Sequence, residues 1–190
     1  EKSVKMVTFW GPNDANSWRA NGKPPLFDVD SQPKPAFNAV IAEAIGAGVI
    51  PSLAGYSQVR REITYAPAGG ASGRLDLGLF EGQAPPALVE IKNVTLLIGE
   101  SLQFPDAVSD RGLKHLGLLQ NALGDGYRAV ILFAINRPEG LGFTPARSVD
   151  PRYADRLRQA VEAGVEPLAI RLRHTREGIE VGEALPVALD

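Results

Sequence analysis

Asp76 and the triplet Glu90-Ile91-Lys92 stand inside two apolar runs, RLDLGLF at 74–80 and ALVEIK at 87–92. Alternation along an extended chain puts Glu90 and Lys92 on one face, with Val89 and Ile91 on the other. Asp76 is flanked by Leu75 and Leu77, which are expected to face away from it. If the two runs pair as neighbouring strands, two carboxylates and an ammonium converge on one patch of a mostly apolar sheet. Such groups are costly to bury without partners. A hard divalent ion such as Mg2+ or Mn2+ accepts one or two carboxylates and keeps its remaining positions for water and phosphate oxygen. Lys92 would then stabilise charge on an attacked phosphodiester or orient the attacking water. On spacing alone the plainer reading is an ion pair of Lys92 with Asp76 or Glu90 on a solvated face, which contributes little.

The elements around these residues set their position. A helix is predicted from Pro35, with Phe37, Val40, Ile41, Ala44 and Ile45 on one face and Gly46, Gly48 and Pro51 ending it. Strands follow at 58–65, 74–80 and 87–92, separated by the Ala-Gly-rich stretch 66–73 and the Pro85-Pro86 turn. Asp106 or Asp110 is the expected cap of a helix to about Leu123, with Leu113, Leu116, Leu119 and Leu123 as its buried stripe. The run RAVILFAI at 128–135 is apolar throughout, as a strand covered on both faces must be. Asp150-Pro151 starts a helix that buries Tyr153, Ala154, Leu157, Ala160 and Val161 and stops at Gly164. A strand at 165–172 completes the order α-β-β-β-α-β-α-β after residue 35, and 178–182 reads as a further short edge strand. The fold class expected is α/β with a mixed sheet and helices on its faces.

The chain has 190 residues, 44% hydrophobic and 22% charged, which suits one packed domain with an appendage. A net charge of −2 gives no chain-wide attraction to nucleic acid, so any such binding needs a local basic patch. With no cysteine, disulfides, thiolate metal sites and a cysteine nucleophile are excluded. No apolar run approaches the roughly 18 residues of a membrane helix, so no membrane partner is expected. The first residue is Glu1 rather than Met, so a fragment is expected, and the absence of cysteine fits a cytoplasmic location.

Longer stretches carry a resemblance. AEAIGAGVIPSLAGYSQVRREITY, RLDLGLF, LVEIKNVTL, FPDAVSDRGLKHLGLL, GYRAVILFAINR, FTPARSVDPRYADRLRQAVEAGVEPLA and LPVALD run collinear from about Pro35 to Leu189. Over this span the chain resembles the bacterial sugar fermentation stimulation protein family. That resemblance implies a restriction-endonuclease-like core of the PD-(D/E)xK type. It makes Asp76 and Glu90 metal ligands and Lys92 the catalytic lysine, with Glu43 at the acidic helix position as a third ligand. The cofactor implied is Mg2+ or Mn2+, and the partner is DNA. Arg111, Lys114 and His115, on the first turns of their helix, are placed to meet a phosphate. The resemblance also implies an N-terminal OB-type barrel in full-length members, which residues 1–35 are not expected to supply.

Residues 4–41 read differently: Val4–Phe9 as a short strand, then a long Asn-, Pro-, Gly- and Asp-rich loop. VKMVTFWGPNDANSWRANGKPPLFDVDSQPKPAFNAVI resembles the last βα unit of a family 10 glycoside hydrolase, typically a xylanase. In that resemblance Trp10 and Trp18 line a sugar-binding cleft, where indole stacks on a sugar ring. Retaining hydrolysis needs two carboxylates borne on earlier strands, and one βα unit cannot close an eight-stranded barrel. A working xylanase is therefore excluded, and carbohydrate binding is not expected. The division expected is a barrel remnant at 1–35 and a nuclease-fold domain at 36–190, joined by fusion or misassembly at the helix PAFNAVIAEAI. The leading expectation for function is a DNA-binding, metal-dependent nuclease-like domain. The alternatives are a non-catalytic DNA-binding or regulatory module with a vestigial site, and a xylanase fragment lacking its catalytic glutamates.

Overall fold

The apolar run at 128–135 becomes the centre of a six-stranded sheet, with seven of its eight residues buried. A computed structural model describes residues 35–189, apart from 69, 176 and 177. Helix α1 (Pro35–Gly46) and a 3-10 turn (Pro51–Leu53) lead into β1 (Tyr56–Tyr65), β2 (Gly73–Gly82) and β3 (Ala87–Val94). Two short strands, β4 (Leu96–Ile98) and β5 (Ser101–Phe104), precede α2 (Asp110–Gly124) and β6 (Arg128–Ile135). The chain closes with β7 (Gly142–Pro145), α3 (Pro151–Glu162), β8 (Glu166–His174) and β9 (Ile179–Leu185). The main sheet runs β1-β2-β3-β6-β8-β9, with β3, β6 and β8 parallel and the outer pairs antiparallel. This is the mixed sheet expected from the sequence, with helices on both faces.

Alternation along the central strands sorts their side chains into two cores. Val130, Leu132 and Ala134 of β6 join Val89 and Ile91 of β3 beneath Ile41 and Ile45 of α1. Ile131 and Phe133 face the other way and pack with Leu116 and Leu119 of α2 and Tyr153 and Leu157 of α3. Glu90 and Lys92 have the parity of this second face, so they point into the core beneath α2 and α3. Among the described residues, no helix is long and apolar enough to cross a membrane.

Several details differ from the expectations. Residues 96–98, 101–104 and 142–145 form a second, three-stranded sheet, β4-β5-β7, which three- and four-residue strands are too short to announce by periodicity. The cap of α2 is Ser109, whose hydroxyl accepts from the Gly112 N–H at 2.9 Å, and neither Asp106 nor Asp110 takes that place. Asp150 does cap α3, accepting from the Tyr153 N–H at 3.0 Å, and its other oxygen accepts from the Ser109 N–H at 3.0 Å. One carboxylate thus ties the starts of α2 and α3 together. The side chain of Phe37, the expected strand at 4–9 and the loop after it, with Trp10 and Trp18, lie outside the described residues.

Leu75 and Leu77 do not share a face. Leu77 and Leu79 lie in the first core and Leu75 in the second. The partner strand switches likewise, with Val59 against the first core and Ile63 against the second. Between them, Glu62 adopts φ 54°, in the left-handed region, opposite Asp76. The hairpin therefore turns over at one position, and simple alternation fails there. A left-handed non-glycine residue costs about 1 kcal/mol or more. Glu62→Gly should raise stability by up to about 1 kcal/mol in urea unfolding, whereas Glu62→Val should lower it. A loss with glycine would contradict strain at this position.

Candidate functional site

The strand pair β2–β3 holds its ladder only from Leu79↔Ala87 to Leu77↔Val89. Continued by one step, the register would set Asp76 against Glu90, but the strands part there. The Ile91 N–H is left without a strand partner, and the Asp76 carboxylate takes that place, with Oδ2 accepting it at 2.7 Å. The second oxygen, Oδ1, accepts from Nδ2 of Asn38 on α1, also at 2.7 Å. Asp76 thus spans the gap between the separating strands, on the edge where the hairpin turns over.

Glu90 is almost wholly buried, at 2% exposure. Its Oε1 accepts from the Lys92 ammonium at 2.7 Å and meets Nδ1 of His115 on α2. Burial by itself would raise the Glu90 pKa. The Lys92 charge and the His115 hydrogen bond outweigh it and hold the carboxyl below its usual range. An ionised carboxylate can only accept, so His115 Nδ1 carries a hydrogen, and Lys92 Nζ stands beside it at 3.3 Å. The face of Phe104 lies 6.0 Å from Lys92 Nζ, a weak further attraction. The Glu90–Lys92 pair anticipated from spacing therefore exists, but in the interior rather than on a solvated face.

Asp76 is in the opposite condition. Burial and the nearby negative charge of Glu90 push its pKa from 3.8 up to about 6, against the smaller opposing effects of the Ile91 N–H and Lys92. Two carboxylates, one of them with a raised pKa, thus stand in one partly dry cluster. Glu90 Oε2 is buried and has no hydrogen-bond partner. This donor set suits a divalent ion such as Mg2+ or Mn2+ that takes one or two carboxylates and completes its shell with water and phosphate. Among the described residues no group of three or more His, Cys, Asp or Glu side chains is assembled for a metal.

The other expected residues are placed as follows. Glu43 is exposed on α1, and among the described residues the α1 side chain that hydrogen-bonds to Asp76 is Asn38. Asn38 carried no signal in the sequence, because an amide in a helix is as readily a surface residue. Arg111 and Lys114 are exposed on the first turns of α2 and have no ion pair among the described residues. His115, grouped with them in the sequence, is 6% exposed and belongs to the interior cluster with Glu90 and Lys92, not to a phosphate-facing surface. Gly112, three residues before it, and Leu119, four residues after it, are buried beneath α2, and His115 shares that inward side.

Comparison with known proteins gives a consistent result. Residues 36–178 match the profile of the sugar fermentation stimulation protein RE domain, and residues 1–43 match weakly that of glycosyl hydrolase family 10. The chain is 47% identical over 151 residues to a sugar fermentation stimulation protein homolog of Acidithiobacillus ferrooxidans, covering 79% of this chain and 63% of that one. A homolog from Paramagnetospirillum magneticum is 41% identical over 152 residues, covering 80% of this chain and 63% of its own length. The solved structure of Pyrococcus furiosus SfsA in complex with Ca2+ superposes with a TM-score of 0.70 at 33% identity, covering 79% of this chain and 63% of that one. The chain therefore spans a little under two thirds of these relatives.

Folding raises the Asp76 pKa, so the folded state holds that proton more tightly than the unfolded chain. The resulting penalty is fully present above pH about 6 and fades as pH falls towards 3.8. In divalent-free buffer, Asp76→Asn should stabilise the protein at pH 7.5 by at most about 3 kcal/mol, and the gain should vanish near pH 4. Urea midpoints of both proteins at the two pH values check this, and a gain independent of pH would contradict it.

Proposed function

The chain belongs to the sugar fermentation stimulation protein family, and from that premise we propose that residues 36–190 form a DNA-binding, divalent-metal-dependent nuclease-like domain, with residues 1–35 a barrel remnant outside it. The observation that carries this reading is the convergence of Asp76, Glu90 and Lys92 where β2 and β3 separate. That the Pyrococcus furiosus relative was solved in complex with Ca2+ supports a hard divalent ion as a ligand for this family. An ion of this kind, Mg2+ or Mn2+, would be held by the Asp76 and Glu90 carboxylates and would supply polarisation of a phosphate oxygen. Lys92, fixed by Glu90, presents ammonium hydrogens to the charge that develops on an attacked phosphodiester. His115 helps to hold Glu90 ionised. Arg111 and Lys114 lie on the same helix at its exposed start and serve the DNA backbone as counter-charges. A cysteine-free chain acting on DNA works in the cytoplasm under this reading.

One observation favours a second reading, a DNA-binding or regulatory module with a vestigial site. Glu90 Oε1 is already engaged by Lys92 and His115, and the cluster holds two carboxylates. The two readings separate on a plasmid. Under the first, the wild type nicks DNA only with Mg2+ or Mn2+, and Asp76→Ala and Lys92→Ala each reduce the rate by about 100-fold or more. Under the second, no protein cuts, yet DNA is still retarded in a gel at low salt. Equal cutting by wild type and both variants would remove the site from consideration. In either case Arg111→Ala with Lys114→Ala should weaken DNA binding and flatten its dependence on salt by about one to two units of log-log slope. An unchanged slope would take DNA off α2.

A further inference from the structure

The four buried polar or charged side chains of the described core are Glu90, His115, Asp150 and Arg171. Two of them are well satisfied. Arg171 donates to Glu183 and to the carbonyls of Arg137, Glu139 and Gly140, and Asp150 accepts from two backbone N–H groups. Glu90 is different, because its Oε2 has no partner. Only two other buried side-chain atoms among the described residues share that condition, Gln120 Oε1 and the Tyr153 hydroxyl. A buried polar atom left unpaired is expensive, and a donor and an acceptor orphaned in one core call for a common explanation.

Tyr153 is fully buried at the start of α3, in the same core as the cluster. Its position is fixed on three sides. Its N–H is held by Asp150. Its ring meets Phe104 edge-on at 5.3 Å, and Phe104 is the ring that lies beside Lys92. Its other flank lies on Gly112 of α2, where a Cβ would come within 3.0 and 3.1 Å of two ring carbons. Only glycine lets the helix pass so close, so the ring is pinned next to the cluster. Burial, with the neighbouring charges of Glu90 and Asp150, holds the Tyr153 phenol well above its ordinary value, so the hydroxyl keeps its hydrogen and can donate it.

We propose that Tyr153 is a positioning residue for the site, its hydroxyl donating to one bridging water that donates in turn to Glu90 Oε2 and so fixing how that carboxylate is presented. The inference rests on the metal-site reading above. A carboxylate held by Lys92 and His115 on Oε1 alone can still swing Oε2, and a donor on that oxygen removes the freedom. Groups that orient a ligand in this way typically matter about tenfold or more to metal affinity. A bridging water is suited to a pocket that offers it several polar neighbours.

Tyr153→Phe keeps the ring against Phe104 and Gly112 and removes only the hydroxyl. Two measurements decide the matter. The first is a double-mutant cycle of Tyr153→Phe and Glu90→Gln in urea unfolding without metal. Tyr153→Phe should lower the midpoint in the wild type and lower it less in Glu90→Gln, whose neutral amide is a weaker acceptor than the carboxylate. Equal shifts in both backgrounds, or a rise in both, would mark an orphan hydroxyl and overturn the contact. The second is Mn2+ titration by calorimetry, where Tyr153→Phe should bind about tenfold more weakly than the wild type. Unchanged affinity would overturn the positioning role, which a purely structural tyrosine would also leave intact. A wild type that takes up no Mn2+ would overturn the metal reading instead, leaving the unfolding cycle to judge the contact.

Discussion

A carboxylate sealed inside an apolar sheet has to be answered by positive charge or a hydrogen bond, and Glu90 organises this domain around that demand. Lys92, two residues on, supplies the charge from the same strand face. His115 supplies a hydrogen from α2, which fixes the rotation and height of that helix over the sheet. The start of α2 is in turn tied to the start of α3 through Asp150. Removing one member of such a group leaves the others buried and unpaired, so the cluster stands or falls as a unit. Replacing Glu90 and its partners by apolar residues of like volume would be far cheaper for folding. A buried arrangement of this kind is better explained by what it can bind than by what it stabilises.

The second carboxylate depends on a different constraint. Asp76 reaches the cluster because the β1–β2 hairpin turns over at Glu62 and the β2–β3 ladder stops at Leu77. The strand separation frees the Ile91 N–H, and Asp76 accepts it. The price is a left-handed glutamate and a carboxylate whose pKa has risen to about 6. Local strain and a raised pKa at the same point are common where a fold has been bent to present a group rather than to pack it.

Much of this was legible in the residues. The helices and the strands of the main sheet followed in order from apolar periodicity, and the parity of Glu90 and Lys92 followed from strand alternation alone. The continuous apolar run at 128–135 marked the sheet centre because only a strand covered on both faces has such a sequence. The failures have physical causes. Alternation put Leu75 and Leu77 on one face, whereas they lie in different cores, across from the left-handed Glu62 of β1. Helical spacing placed His115 beside Arg111 and Lys114 on a polar face, but a histidine can turn inward where a buried carboxylate awaits it. Glu43 fitted a pattern of residue type, while Asn38, five residues earlier, has the geometry that reaches Asp76. Tyr153 looked like one more aromatic on an apolar stripe, and nothing in the sequence separates a packed ring from a packed ring with a purposeful hydroxyl.

The central claim is that Asp76 and Glu90 jointly hold a divalent ion. Crystals soaked in Mn2+ and measured for anomalous scattering test it most directly, since they locate the ion without reference to activity. A single strong peak is expected in the gap between β2 and β3, within coordinating distance of both carboxylates, and none in Asp76→Ala crystals. A peak at a different group of residues, or no peak in the wild type, would contradict it.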